Sequence, residues 1–156
     1  MQVDEVQIDF ENSILPWLGR TSKFVDHYLH LLLSRHGLPF SKEQIVVLKM
    51  LHDHEGDGLN QNELAFLTNR DKSSLTRLLS NMEKKKCIIR KQDKEDKRVN
   101  QVFLTDEGRM VFKKSKLALN QFIEDMEQGI SEMEKKQLIA ILKKVQINYK
   151  KESLVQ

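Results

Sequence analysis

The sequence predicts a mainly α chain of six helices, with a central winged helix-turn-helix, a small β-hairpin as its wing, and terminal helices that form a dimerisation region. Three observations carry this. Residues 60–105 order themselves as a short helix, a tight turn, a second helix, and two strands closed by a charged loop. In that second helix Leu75, Leu78, Leu79 and Met82 recur at i, i+3, i+4 and i+7, one apolar stripe for burial. On the opposite side Ser73, Thr76, Arg77, Ser80 and Lys84 make a stripe of short hydroxyls and cations, with Glu83 the first carboxylate beside it. Such a stripe suits phosphates and base edges, whereas an ordinary solvated helix mixes charge signs.

The elements follow in chain order. Residues 1–13 have weak periodicity and read as an extended or loosely helical arm. Pro16 fits the first turn of a helix, where its missing N–H is harmless, and Leu18, Val25, Leu29 and Leu32 continue a stripe to His36. Gly37 and Pro39 stop it. Ser41 with Gln44 reads as a capping box that opens a second helix through Ile45, Leu48 and Leu51 to about His54. After the turn Gly56-Asp57-Gly58, Asn60 with Glu63 starts a short third helix packed through Leu64 and Leu67. Asp71 is the N-cap of the two-striped helix, and two helices joined this closely make a helix-turn-helix.

Beyond Met82 the chain runs through Glu83-Lys84-Lys85-Lys86, read as a solvated helix end. Residues 87–89 and 102–104 are β-branched or aromatic rich, and the polar stretch 91–101 between them reads as a long hairpin loop. Thr105 caps a long helix with Asp106 and Glu107 in its first turn, where the macrodipole favours acids. That helix runs through Val111, Ala118, Phe122 and Met126 to Gly129. Ser131 with Glu134 opens the last helix, with Leu138, Ile141, Leu142, Val145 and Tyr149 on one side. The first and last two helices carry more apolar residues than a compact centre can cover, the pattern of a dimer seam.

Length and charge narrow the classes. At 156 residues, with no Pro/Gly/Ser-rich linker, one domain is the simplest count. Residues 1–10 carry acids and no basic segment before an apolar run, so no signal or transit peptide is expected, and the densest apolar run, 29–33, is too short to span a membrane. A cytoplasmic location is the expectation, and the lone Cys87 agrees with a reducing compartment. The net charge of +3 conceals an asymmetry: residues 71–116 hold 14 Lys/Arg against 7 Asp/Glu, leaving 12 against 16 elsewhere. A local basic patch on a mildly acidic chain is what a nucleic-acid footprint requires.

The loop Asp93-Lys94-Glu95-Asp96-Lys97-Arg98 and the following Leu104-Thr105-Asp106-Glu107-Gly108 resemble the wing signature of the MarR family of bacterial transcription regulators. Ser73-Ser74-Leu75-Thr76-Arg77-Leu78-Leu79 resembles its recognition helix, and residues 38–51 resemble its second helix. The likeness in helix order covers residues 13–149, and the motif matches lie in 73–108. The resemblance implies a single domain over 1–156, a winged helix-turn-helix over 38–105 and dimerisation helices over 13–37 and 106–150. It further implies a homodimer on a pseudo-palindromic operator in double-stranded DNA, usually a repressor, released when a ligand or oxidant changes the spacing of its reading heads. The expected DNA contacts are Ser73, Ser74, Thr76, Arg77, Ser80 and Lys84 on the helix and Lys97 and Arg98 in the wing. Arg98 is placed to enter a narrow minor groove, and Asp96 is expected to orient it through a charge-assisted hydrogen bond. By the same resemblance a small aromatic or acidic effector is expected near the first helix, where Trp17, His27 and Tyr28 supply a pocket. Two departures stand out. Lys86 replaces a Gly that commonly ends the recognition helix in a left-handed residue, and Gln92 replaces a frequent Pro.

Other readings are weaker. Cys87, between apolar neighbours, reads as a small buried hydrophobe, and the first-helix cysteine of oxidant-sensing members is absent. His52 and His54 stand at i, i+2 on a helix and point apart, so with Asp53, Glu55 and Asp57 they form a polar end and no metal site. Histidines in the fifth helix, used by zinc-sensing relatives, are also missing. No nucleophile with a base, paired carboxylates or Gly-rich phosphate loop appears, so no catalytic residue and no cofactor is expected. The alternative to a DNA-binding regulator is a winged-helix module whose basic face meets an acidic protein.

Overall fold

The computed structural model describes residues 8–152, with side chains through 149. The expected N-terminal arm falls in part, at 1–7, outside the described residues, and 8–13 form neither helix nor strand. The chain groups into two compact units, one through Phe122 and one from Ile123, and each is taken by itself.

In the first unit α1 (Ile14–Arg35) starts on Ser13, whose hydroxyl accepts the Leu15 N–H at 3.2 Å. It ends where Gly37 takes φ +67° and the Leu38 N–H donates to the Leu33 carbonyl at 2.9 Å, satisfying a carbonyl left free by the last turn. Both expected capping boxes form. Ser41 and Gln44 exchange bonds at 3.2 and 3.1 Å to open α2 (Lys42–Asp53). Asn60 and Glu63 do so at 2.8 Å each to open α3 (Gln61–Thr68). Asn69, at φ +51°, then turns the chain left-handed, a conformation its short polar side chain tolerates, and α4 (Lys72–Lys84) begins under the Asp71 carboxylate.

The sheet differs from a two-stranded hairpin. A two-residue strand β1 (Leu59–Asn60) pairs antiparallel with β3 (Asn100–Leu104), which pairs on its other side with β2 (Ile88–Gln92), in the order β1-β3-β2. No pattern marks a strand two residues long, because its only warrant is the partner at Gln101 and Val102. The expected loop shrinks too: polar residues 91, 92, 100 and 101 belong to the ladder, since an exposed wing needs backbone pairing and not apolar side chains on both faces. At Lys86 the backbone takes φ +60°, so the corner where the family commonly has Gly keeps its left-handed conformation with a lysine in it.

The core lies under α4. Leu33, Leu48, Leu51, Leu64, Leu75, Leu79, Met82, Ile88 and Val102 are all buried, each side chain contributing on the order of 1.5–3 kcal/mol relative to exposure. Two stripes sit rotated from expectation. On α1 it is Leu29 and Leu33 that are buried, with Leu32 and Val25 half-buried and Leu18 exposed. On α3 only Leu64 enters the core, and Leu67 stays exposed, because a helix of little more than two turns turns only one line of residues inward.

Helix α5 (Asp106–Met126) starts against the wing root, where the Thr105 hydroxyl accepts the Gly108 N–H at 3.0 Å and donates to the Lys86 carbonyl at 2.6 Å. A Cβ at Gly108 would sit 2.1 Å from the Cys87 carbonyl oxygen, so only glycine lets helix and strand approach this closely. Cys87 itself is fully buried, and burial pushes its thiol above the ordinary range, which disfavours the reactive thiolate.

In the second unit Ser131 and Glu134 form the third expected capping box, opening α6 (Glu132–Glu152). Lys135 pairs with Glu127 at 2.7 Å and with Glu132 at 2.8 Å. Among its described side chains α6 has none buried: Leu142 and Val145 are half-buried, and Leu138, Ile141 and Tyr149 are exposed. No helix among the described residues is long and apolar enough to cross a membrane.

Candidate nucleic-acid interface

The outward stripe of α4 divides into residues that are free and residues already engaged. Ser73, Arg77 and Lys84 are exposed, and the Arg77 guanidinium has no hydrogen-bond or ion-pair partner among the described residues. The Thr76 hydroxyl donates back to the Lys72 carbonyl at 2.8 Å, leaving a lone pair toward the Gln61 amide at 3.5 Å. Ser74 and Ser80 are half-buried and turned elsewhere: Ser74 accepts from Arg70 Nη1 at 2.7 Å and Ser80 from Arg90 Nη2 at 3.3 Å. Helical spacing placed both on or beside the stripe, but arginines from the preceding turn and the wing occupy their hydroxyls.

The wing loop, residues 93–99, sorts its charges by sign. The Asp93 carboxylate accepts the N–H of Glu95 at 2.8 Å and of Asp96 at 3.0 Å, and these amides hold its carboxyl below the ordinary range. Asp96 accepts the backbone N–H of Arg98 at 3.0 Å. The expected bond between Asp96 and Arg98 thus forms at the Arg98 amide, where it shapes the turn, because a carboxylate two residues away reaches the backbone first. With these two acids facing amides, Lys94, Lys97 and Arg98 present their cations outward.

Between wing and helix lies a crevice of about 270 Å³ lined by Arg98 and Asn100 from the wing side, Lys72 and Thr76 from α4, and Gln61 and Asn62 from α3. Two cations and three amides on three elements suit a backbone phosphate oxygen. Lys72 was not among the residues singled out by sequence. It lies one residue past the N-cap, and only the crevice it shares with Arg98, 26 positions on, marks it. The helix end is less open than the run of lysines suggests. Lys85 Nζ donates to the Pro39 carbonyl at 2.5 Å and to Gln44 Oε1 at 3.3 Å and lies 4.4 Å from the Phe40 ring centroid. Lys85 thus straps α4 to the start of α2, while Lys84 and Lys86 stay exposed.

The expected pocket residues are not gathered within this chain. Trp17, His27 and Tyr28 are all exposed on α1. His27 meets Tyr28 edge to face at 5.3 Å and Phe24 stacks on Tyr28 at 6.4 Å, but Trp17 lies eleven residues from Tyr28, roughly 16 Å along the helix, and pairs with Arg20 instead. His54 Nδ1 bonds the Met50 carbonyl at 2.8 Å, which fits a helix-end role.

Comparison with known proteins converges on one group. Residues 40–99 match the family model described as MarR family. An uncharacterized HTH-type transcriptional regulator, YdgJ of Bacillus subtilis (strain 168), is 31% identical over 108 residues, 69% of this chain. The chain spans 65% of the length of this curated relative. The crystal structure of the S. aureus MepR–DNA complex is similar with a TM-score of 0.79 at 25% identity, over 90% of this chain and 99% of that one. Bordetella bronchiseptica BpsR, whose DNA binding is regulated by 6-hydroxynicotinic acid, shares the fold with a TM-score of 0.80 at 18% identity, over 90% and 97% of the two chains.

Proposed function

We propose, for a chain that belongs to the MarR family, that it is a sequence-specific DNA-binding transcription regulator acting as a homodimer on a pseudo-palindromic operator. The observation that carries the reading is the free, carboxylate-poor stripe of Ser73, Arg77 and Lys84 beside the Lys72 and Arg98 crevice. On this reading α4 enters the major groove, where Arg77 donates to base edges or phosphates, and the wing lays Arg98 and Lys97 along the flanking backbone and minor groove. A two-fold dimer sets its two recognition helices about 34 Å apart to enter successive major grooves. The uncovered apolar faces of α1 and α6 are what a second copy would bury.

Repression released by a ligand is the regulatory form we assign. A small aromatic or acidic molecule, the class to which the acid named for BpsR belongs, would seat at the aromatic face of α1 once a partner helix covers it and change the spacing of the heads. No reaction is assigned to the chain, and a reducing cytoplasm is its proposed setting.

Selection of bound duplexes from a random pool tests the proposal. The expected result is a two-fold site whose half-sites lie about one helical turn apart, ~10 bp. Binding should fall steeply with salt on a log–log plot, through counterion release. No enrichment, or binding indifferent to salt, would favour the protein-interaction module instead.

A further inference from the structure

The side of α4 that meets the wing carries a contact that no DNA ligand requires. Arg90 on β2 donates from Nη2 to Glu83 Oε2 at 2.6 Å and from Nε to the same oxygen at 3.2 Å. Its backbone N–H donates to Glu83 Oε1 at 3.3 Å, and Nη2 also reaches Ser80 Oγ at 3.3 Å. One residue of the wing thus engages both oxygens of a carboxylate on the recognition helix. Side-chain exposure is 22% for Arg90 and 39% for Glu83, so the pair is partly withdrawn from water, where charge-assisted bonds from the guanidinium to one oxygen and the amide to the other hold geometry well.

Its position matters as much as its strength. In the order β1-β3-β2, β2 is an edge strand with no strand on its outer side. Glu83 takes the Arg90 amide on that side, so the carboxylate covers part of an open edge and ties it to α4. A two-stranded ribbon such as the outer wing is marginal alone and, released from this tie, would pivot about the left-handed corner at Lys86. The pair also neutralises one cation within the basic face, so its effect on DNA binding is geometric and not attractive.

We infer that Glu83 and Arg90 are positioning residues that lock the pitch of the wing against the recognition helix, so that Lys97 and Arg98 meet the duplex outside the groove that α4 enters. Neither touches DNA in this arrangement, and Ser80 belongs to the lock and not to the base-reading set. The inference rests on the reading of the chain as a duplex reader.

The test uses the full chain with Glu83→Gln, Arg90→Gln, and the exchanged pair Glu83→Arg with Arg90→Glu. In the free protein each single variant should exchange the backbone amides of 88–92 about tenfold faster or more, while the amides of the α4 core do not change. On a selected duplex each should bind about tenfold more weakly and lose hydroxyl-radical protection at the flanks, keeping it at the half-site centres. The exchanged pair should recover most of both. Unchanged wing exchange, flanks and centres lost together, or an exchanged pair no better than the worse single variant would each overturn the lock. A wild-type chain that binds no duplex would instead defeat the proposed function, and the amide exchange would still decide whether the pair holds the wing.

Discussion

Two regions of this molecule are built from helices capped by the same devices and end in opposite states. In residues 38–105, the proposed reading head, Phe66 at 85% exposure is the single large hydrophobic more than half exposed. Along α1 five such residues are more than half exposed, Ile14, Leu15, Trp17, Phe24 and Tyr28, and among the described residues of α6 another five, Met133, Leu138, Ile141, Ile147 and Tyr149. The head closes its core within one chain, because two helices, a sheet and a covering helix can surround Leu75, Leu79 and Met82. A long helix with apolar residues around most of its circumference cannot be covered by one neighbour. The difference teaches that the two regions answer to different perturbations, the head to changes in its own packing and the terminal helices to changes in what they meet.

The sharpest way to break the head is at its tightest approach. Gly108→Ala puts a methyl group against the Cys87 carbonyl and should cost about 3 kcal/mol in denaturant unfolding, the upper end of the overpacking range. For the terminal helices, Leu138→Lys should leave the fold of each chain intact yet weaken self-association by about a hundredfold in sedimentation equilibrium, since a charge would be buried unpaired in the proposed seam. Phe66→Lys is the control in the head, where exposed substitution should shift stability by no more than about 0.5 kcal/mol. If Leu138→Lys behaves like Phe66→Lys, the contrast between the regions is not a dimer seam.

Smaller effects sharpen the same contrast within the head. Arg77→Ala should reduce affinity for the selected duplex by about 1–3 kcal/mol with folding and association unchanged, read by titration at fixed salt. Lys86→Gly should stabilise the chain by about 1 kcal/mol, because glycine adopts φ +60° without a Cβ penalty; a lower melting temperature would mean the Lys86 side chain has an unseen partner. The pH dependence of the Glu83 and Arg90 pair is the smallest effect. The Arg90 guanidinium holds the Glu83 carboxyl below its ordinary value of 4.5. A carboxyl lowered on folding stabilises the folded state above the ordinary value and loses that contribution as pH falls through the lowered one. The stability gap between wild type and Glu83→Gln should therefore be present at neutral pH and close in acid; a gap that persists in acid would assign it to packing.

Much of this was legible along the chain. Capping boxes at Ser41, Asn60 and Ser131 and the N-cap at Asp71 depend on atoms three residues apart, and all four form where the sequence placed them. At Lys86 the resemblance marked only a departure from a common glycine, and the structure decided that the corner keeps its left-handed conformation. The candidate site was legible only in outline. Arg77 stands out as a free cation on the stripe, but spacing could not show that Ser74 and Ser80 are taken by Arg70 and Arg90, or that Lys72 shares a crevice with Arg98.

What the sequence alone determined is whatever a residue settles with neighbours within a turn or two: where helices begin, which of their faces are apolar, and the sign of charge on α4. What only the tertiary structure decided are the pairings between distant segments: β1 against β3, Glu83 against Arg90, Lys85 against Pro39, and the rotation that buries Leu33 ahead of Leu32. The physical reason is that local hydrogen bonds are specified by spacing along the backbone, whereas a side chain with several reachable partners chooses among them only after the core has set which segments are adjacent.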